Sequence, residues 1–163
     1  MRAHGFDPDF SGAVHQQLET IGGQPAAASG PDVRDLRTTL WSSIDNDTSR
    51  DLDQVEAAER LPNGDIRVLV GIADVDAFVP IRSPIDEHAS IQTTTVYAGV
   101  RIFPMLPETL STGTTSLLEG ADKLAIVIEF TVAADGAVRG EQVYRALIRN
   151  QAQLTYNAVG AWL

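Results

Sequence analysis

The chain has 163 residues, 22 acidic and 12 basic side chains, a net charge of −10 and no cysteine. That length supports one domain with a real core, while the missing cysteines exclude disulfides and thiolate metal sites. No apolar run reaches the ~20 residues of a membrane span, and so acidic a surface argues, on composition alone, against a polyanionic partner.

Residues 1–33 read as an N-terminal helical arm and a flexible linker. The opening "MRAHGFDPDFSG" has no apolar segment or cleavage site of a secretory signal, so a cytoplasmic location is expected. In "FSGAVHQQLETI", Ser11 is placed to cap a helix on which Val14, Leu18 and Ile21 fall at helical spacing. The following "GGQPAAASGP", 22–31, is small and turn-rich.

From Val33 the pattern turns to strands. The runs "LDQVEAAERL" and "DIRVLVGIAD" flank Pro62-Asn63-Gly64-Asp65, a strong hairpin signal. "SPIDEHASIQ" starts a helix, with Ser83 as N-cap, Pro84 at the first helical position, and Asp86 and Glu87 in the first turn. A second hairpin is predicted around Asp135-Gly136, between "KLAIVIEFTV" and "AVRGEQVYRALI". Alternation there sets Val127, Glu129 and Thr131 on a wet face and Ile126, Ile128 and Phe130 on a buried one. The final "LTYNAVGAWL" reads as a helix from Tyr156 that stops while still apolar, so the chain is expected to be a fragment.

One stretch carries more charge than a fold needs. "SIDNDTSRDLDQVE", 43–56, packs five carboxylates and one arginine into fourteen residues. Two carboxylates about 4 Å apart repel by roughly 4 kcal/mol at an effective dielectric of about 20, so they separate in water or share a cation. Asp51 and Asp53 lie two apart at an apparent strand start, where period-2 geometry puts both on one face. The polar turn "NDTSR" can fold Asp45 back toward them, with Asp47 as a further neighbour. Oxygen ligands without Cys or His suit magnesium, manganese or calcium. A calcium loop of the EF-hand type places Arg50 where a glycine is required, and the flanks read as strands. Spacing alone leaves a solvated acidic loop and a metal site both open. Asp74, in "IADVD", reads as a strand-end turn residue.

Six blocks in order, "SIDNDTSRDLDQ", "IADVDAFV", "TTTVY", "FPMLPETLS", "SL" and "LTY", resemble the RNB catalytic domain of the RNase II and RNase R exoribonucleases. The resemblance runs from about Arg34 to the end and looks like a variant without N-terminal cold-shock domains. It implies an α+β fold, a mixed and largely antiparallel sheet with packed helices, with 34–163 as the N-terminal part of the catalytic domain. It also implies magnesium-dependent, 3′→5′ hydrolysis of single-stranded RNA to nucleoside 5′-monophosphates, with manganese as an alternative metal, no preference for DNA and no membrane.

By the same resemblance Asp45, Asp51 and Asp53 are the catalytic metal ligands, Tyr97 stacks on a base, and Tyr156 lies near the terminal ribose. Gln54 stands where the family carries a fourth aspartate, which weakens the expected second metal site. The family's later half, with its phosphate-gripping arginines, would be this chain's natural partner. The isolated chain is therefore expected to degrade RNA poorly. The alternative is a non-catalytic RNB-like module that binds RNA or a protein partner.

Overall fold

The computed structural model describes residues 2–22 and 30–163; most of the run read as a linker, 23–29, lies outside the described residues. Among the described residues, eight strands and three α-helices form an α+β fold. In chain order they are α1 (Gly12–Thr20), β1 (Arg34–Asp35), β2 (Trp41–Asp45), β3 (Gln54–Arg60), β4 (Ile66–Ala73), α2 (Pro84–Gln92), β5 (Val96–Ala98), β6 (Arg101–Phe103), β7 (Asp122–Val132), β8 (Val138–Thr155) and α3 (Tyr156–Trp162). No helix among the described residues is long and apolar enough to cross a membrane.

The two hairpins form where their turn residues demand them. Gly64 (φ 91°) lets β3 and β4 pair antiparallel from Gln54↔Ile72 to Arg60↔Ile66, and Gly136 (φ 84°) does the same for β7 and β8. β4 pairs antiparallel with β7, from Ile66↔Val132 to Ala73↔Ala125. β8 changes partner along its length. Its first part pairs with β7, and its last residues run parallel to β2, from Trp41↔Asn150 to Asp45↔Thr155. With β2 also against β3, the order β8-β2-β3-β4-β7 closes back on β8. Closure removes two sheet edges and makes a small barrel.

The barrel interior holds Trp41, Val55, Ala125, Val127, Ala146 and Ile148, each fully buried. Burying such side chains is worth about 1.5–3 kcal/mol each. Gly71 makes room for them: a Cβ there would lie 3.0 Å from Val55 Cγ2, 3.3 Å from Ile148 Cδ1 and 3.5 Å from Trp41 Cζ3.

The face assignment on β7 is corrected by this closure. Val127 is on the interior side, and Ile126, Ile128 and Phe130 lie on the half-buried outer face. Glu129 shares the interior side, where Arg67 Nε donates to it at 2.8 Å and the Tyr144 hydroxyl also donates.

A second core forms beside the barrel. Val14 of α1, Ile85 of α2, Val79 and Leu110 are buried together. Ser11 and Ser83 cap α1 and α2 as their sequences predict, and Gln17 Oε1 accepts from the Ile85 backbone N–H at 2.9 Å. The β5–β6 hairpin stands apart as a two-stranded sheet, tied to the N-terminal segment by an Arg101–Asp9 ion pair of 3.0 Å.

Candidate functional site

The acidic stretch sits at one end of the barrel. β2 ends at Asp45, a turn closes with the Ser49 N–H donating to Asn46 O at 3.1 Å, and β3 begins at Gln54. Asp51 and Asp53 therefore precede the strand instead of opening it. The expected alternation still holds across them. Leu52 is 1% exposed, while the aspartates on either side are open to solvent.

Leu52 is pinned on both sides. Its N–H donates to Ser116 Oγ at 3.0 Å and its carbonyl accepts from the Leu117 N–H at 2.8 Å. Ser116 Oγ donates in turn to Arg50 O at 2.7 Å. These bonds fix which way the acids point: one buried peg turns Asp51 and Asp53 outward. The Asp53 carbonyl accepts from the Ala73 N–H at 2.9 Å, which extends the β3–β4 ladder up to the site.

Asp51 and Asp53 line a cleft of about 710 Å³. Tyr97 and Ile102 of the β5–β6 hairpin, with Met105, are among its apolar lining. Ser111 and Thr112 come from a π-helical turn, Thr109–Thr114. The Tyr97 hydroxyl reaches Asp51 Oδ2 at 3.5 Å, a long contact. Partial burial, and then Asp51, push the Tyr97 hydroxyl above its usual pKa.

Asp45 does not line the cleft but shares its field. Partial burial, followed by the charges of Asp53 and Glu56 and more weakly Asp51, raises its carboxyl pKa, against a lowering hydrogen bond from Ser43. The negative charges of Asp53, Glu56 and Asp51 thus oppose the ionisation of Asp45, and a shared cation would relieve that repulsion. In kind and charge these oxygen donors fit a hard divalent cation. Their present arrangement is open, since among the described residues no three Asp, Glu or His side chains converge tightly enough to hold one ion.

The other predicted residues are spread around this end. Asp45↔Thr155 pairing brings Tyr156 to the same end of the barrel, where it is 59% exposed and outside the cleft lining. Gln54 faces away with Glu56, whose carboxylate accepts from its amide. Glu56 lies outside the cleft lining, yet its charge reaches Asp45. Asp74 is a buried structural acid: it caps the short 3₁₀ turn Val75–Ala77 and binds Arg145 Nε, which explains its position at a strand end.

The RNB domain model matches residues 33–163. The chain is 35% identical over 159 residues to Ribonuclease R of Escherichia coli K12, covering 98% of this chain and 20% of that protein. The chain therefore spans about a fifth of the length of this relative. The fold superimposes on Mycoplasma genitalium RNase R in complex with ribose-methylated single-stranded RNA with a TM-score of 0.88, at 26% identity, over 96% of this chain and 24% of that one. It also resembles yeast Ssd1, a pseudonuclease, at a TM-score of 0.71 and 17% identity, over 86% of this chain and 18% of that one, a likeness of fold alone.

Proposed function

Because the chain belongs to the RNB domain family, we propose that it is the carboxylate-bearing part of a cytoplasmic, magnesium-dependent 3′→5′ exoribonuclease acting on single-stranded RNA. Nucleoside 5′-monophosphates would be its products. The observation that carries this reading is the pair Asp51 and Asp53 on the wall of a cleft that also presents the Tyr97 ring, with Asp45 coupled to them by charge.

Asp45, Asp51 and Asp53 would hold magnesium, with manganese as a substitute. A divalent cation there supplies Lewis-acid stabilisation of charge developing on the phosphodiester. The protein's own groups do the rest. Leu52 keeps the two cleft aspartates at fixed spacing. Tyr97, 68% exposed, offers a ring face to a base, and such stacking is worth about 1–3 kcal/mol whatever the base. Tyr156 offers a hydroxyl to a ribose, where a 2′-OH distinguishes RNA from DNA.

A second reading, a non-catalytic RNB-like module binding RNA or a protein, has one specific observation in its favour. The carboxylates stand open, and the amide of Gln54 is engaged by Glu56. One experiment separates the two. A 5′-labelled single-stranded RNA is incubated with magnesium and either this chain or a longer protein carrying the rest of the domain. Slow stepwise shortening of the labelled strand by the chain, faster shortening by the longer protein, and none by Asp53→Asn support the exoribonuclease. RNA binding without trimming by the longer protein would establish the module instead.

A further inference from the structure

We propose that Lys123 is a positioning residue that clamps the π-turn Thr109–Thr114 to the barrel and so fixes the stretch of cleft wall carrying Ser111 and Thr112. The use of that wall for RNA rests on the exoribonuclease reading; the clamp itself does not.

Lys123 is the only lysine in the chain. It stands at the second position of β7, and its Nζ donates to Gly113 O at 2.7 Å and to Thr114 O at 2.9 Å. These carbonyls end the π-turn, where backbone acceptors run out of helical donors and the peptide dipoles present their negative ends. An ammonium drawn partly out of water is costly unless it is hydrogen-bonded, and here two acceptors meet it. Its desolvation lowers the lysine pKa, consistent with a group held in place and not waving in solvent.

The turn needs such a clamp. A π-helix is rare and survives as a single turn where something outside it supports the geometry. In this one the Thr115 N–H donates to Leu110 O at 3.0 Å, five residues back. The hydroxyls of Thr112 and Thr115 bond back to Glu108 O (2.9 Å) and Leu110 O (3.0 Å), which stiffens the turn internally but ties it to nothing else. Leu110 anchors its first half in the second core. Lys123 anchors its last half to the barrel. Ser116 and Leu117, just past the turn, are held to the Arg50–Leu52 segment, so removing Lys123 frees the turn's own last carbonyls while the chain beyond it stays pinned.

The test compares Lys123→Met, which keeps the stem and loses the donors, with Lys123→Arg, which keeps donors and charge. Amide hydrogen exchange and the anisotropy of a 5′-labelled single-stranded oligoadenylate are the two readouts. In Lys123→Met, exchange at 110–116 should rise about tenfold, the equivalent of one charge-assisted hydrogen bond. The barrel strands should keep their protection, and RNA affinity should fall several-fold. Lys123→Arg should retain most of both. Unchanged exchange at 110–116 overturns the clamp, and so does a rise spread evenly over the barrel, which marks a role in global stability only. Loosening of the turn without loss of RNA affinity overturns its part in the cleft. The anisotropy is read on the longer protein carrying the rest of the domain; if that protein binds no RNA, the functional reading fails, while the exchange measurement still decides the clamp.

Discussion

Gly71→Ala tests whether the barrel is closed and filled as described. The new methyl would meet Val55 Cγ2 at 3.0 Å and Ile148 Cδ1 at 3.3 Å, both tighter than ordinary contact, and Trp41 Cζ3 at 3.5 Å, which is comfortable. Val55 is β-branched and sits within a strand, so it has little rotamer freedom with which to yield. Overpacking of this kind costs about 1–3 kcal/mol. Alanine in a strand gains about 0.5–1 kcal/mol over glycine from the unfolded chain. The net is a loss of roughly 0–2.5 kcal/mol, or up to about 10 °C in Tm for a chain of this size. Thermal and urea unfolding followed by circular dichroism measure it. A companion Val55→Ala removes the offending methyl, so the double variant should lie well above the sum of the two single losses. A Tm for Gly71→Ala above that of the original, or a double variant no better than the sum of the single losses, would refute a filled interior at this point.

Three further outcomes are expected. Gln92 is 1% exposed, and among the described residues neither of its amide atoms has a partner; Gln92→Met should raise stability by about 1–2 kcal/mol, seen as a higher urea midpoint. Asp74→Ala leaves Arg145, whose side chain is 32% exposed against 1% for Asp74, with only the exposed Asp76 at 3.6 Å, and should cost about 2–3 kcal/mol of unfolding free energy; the loss should shrink when Arg145→Met is present already. Hydrogen bonds from Arg67 and Tyr144, with Arg67's the larger effect, outweigh burial and hold the Glu129 carboxyl below its ordinary pKa. A depressed carboxylate contributes stability above its unfolded pKa and loses it as pH falls through the folded one. Glu129→Gln should therefore lower Tm at neutral pH, and the gap should narrow as pH drops past 4.5; a gap independent of pH would show that the ionised form is not what matters.

Local signals in the sequence carry much of this fold. Asn63-Gly64 and Asp135-Gly136 mark both hairpins, and Ser83-Pro84 marks the start of α2, because turn and cap chemistry depends on a few neighbouring residues. What is not local is not legible. Val127 reads as outward by its neighbours' hydrophobicity, and only ring closure makes its side the interior. Gly140 (φ 68°) gives no hint that it accompanies the register shift opposite Glu129 and Thr131, where the β7–β8 ladder is bulged. At the site, Asp51 and Asp53 are readable through the leucine between them. The approach of Tyr97 to Asp51, and the π-turn held by the lysine, depend on segments far apart in the chain.

The double allegiance of β8 also sets the order of events during synthesis. β2 is made early, but its parallel partner is the stretch that ends at Thr155. At about 5–20 residues per second, a ribosome needs several seconds to deliver it after β2 appears. Until then β3 and β4 can pair, since only a short turn separates them, whereas β2 waits for a contact of high sequence separation. Asp51 and Asp53 thus precede Asp45 into place, and the acidic end is completed by the last strand to arrive. A nascent chain stalled before residue 150 should therefore show protected β3–β4 amides and an exposed Trp41, whose indole fluorescence reports the moment the ring shuts.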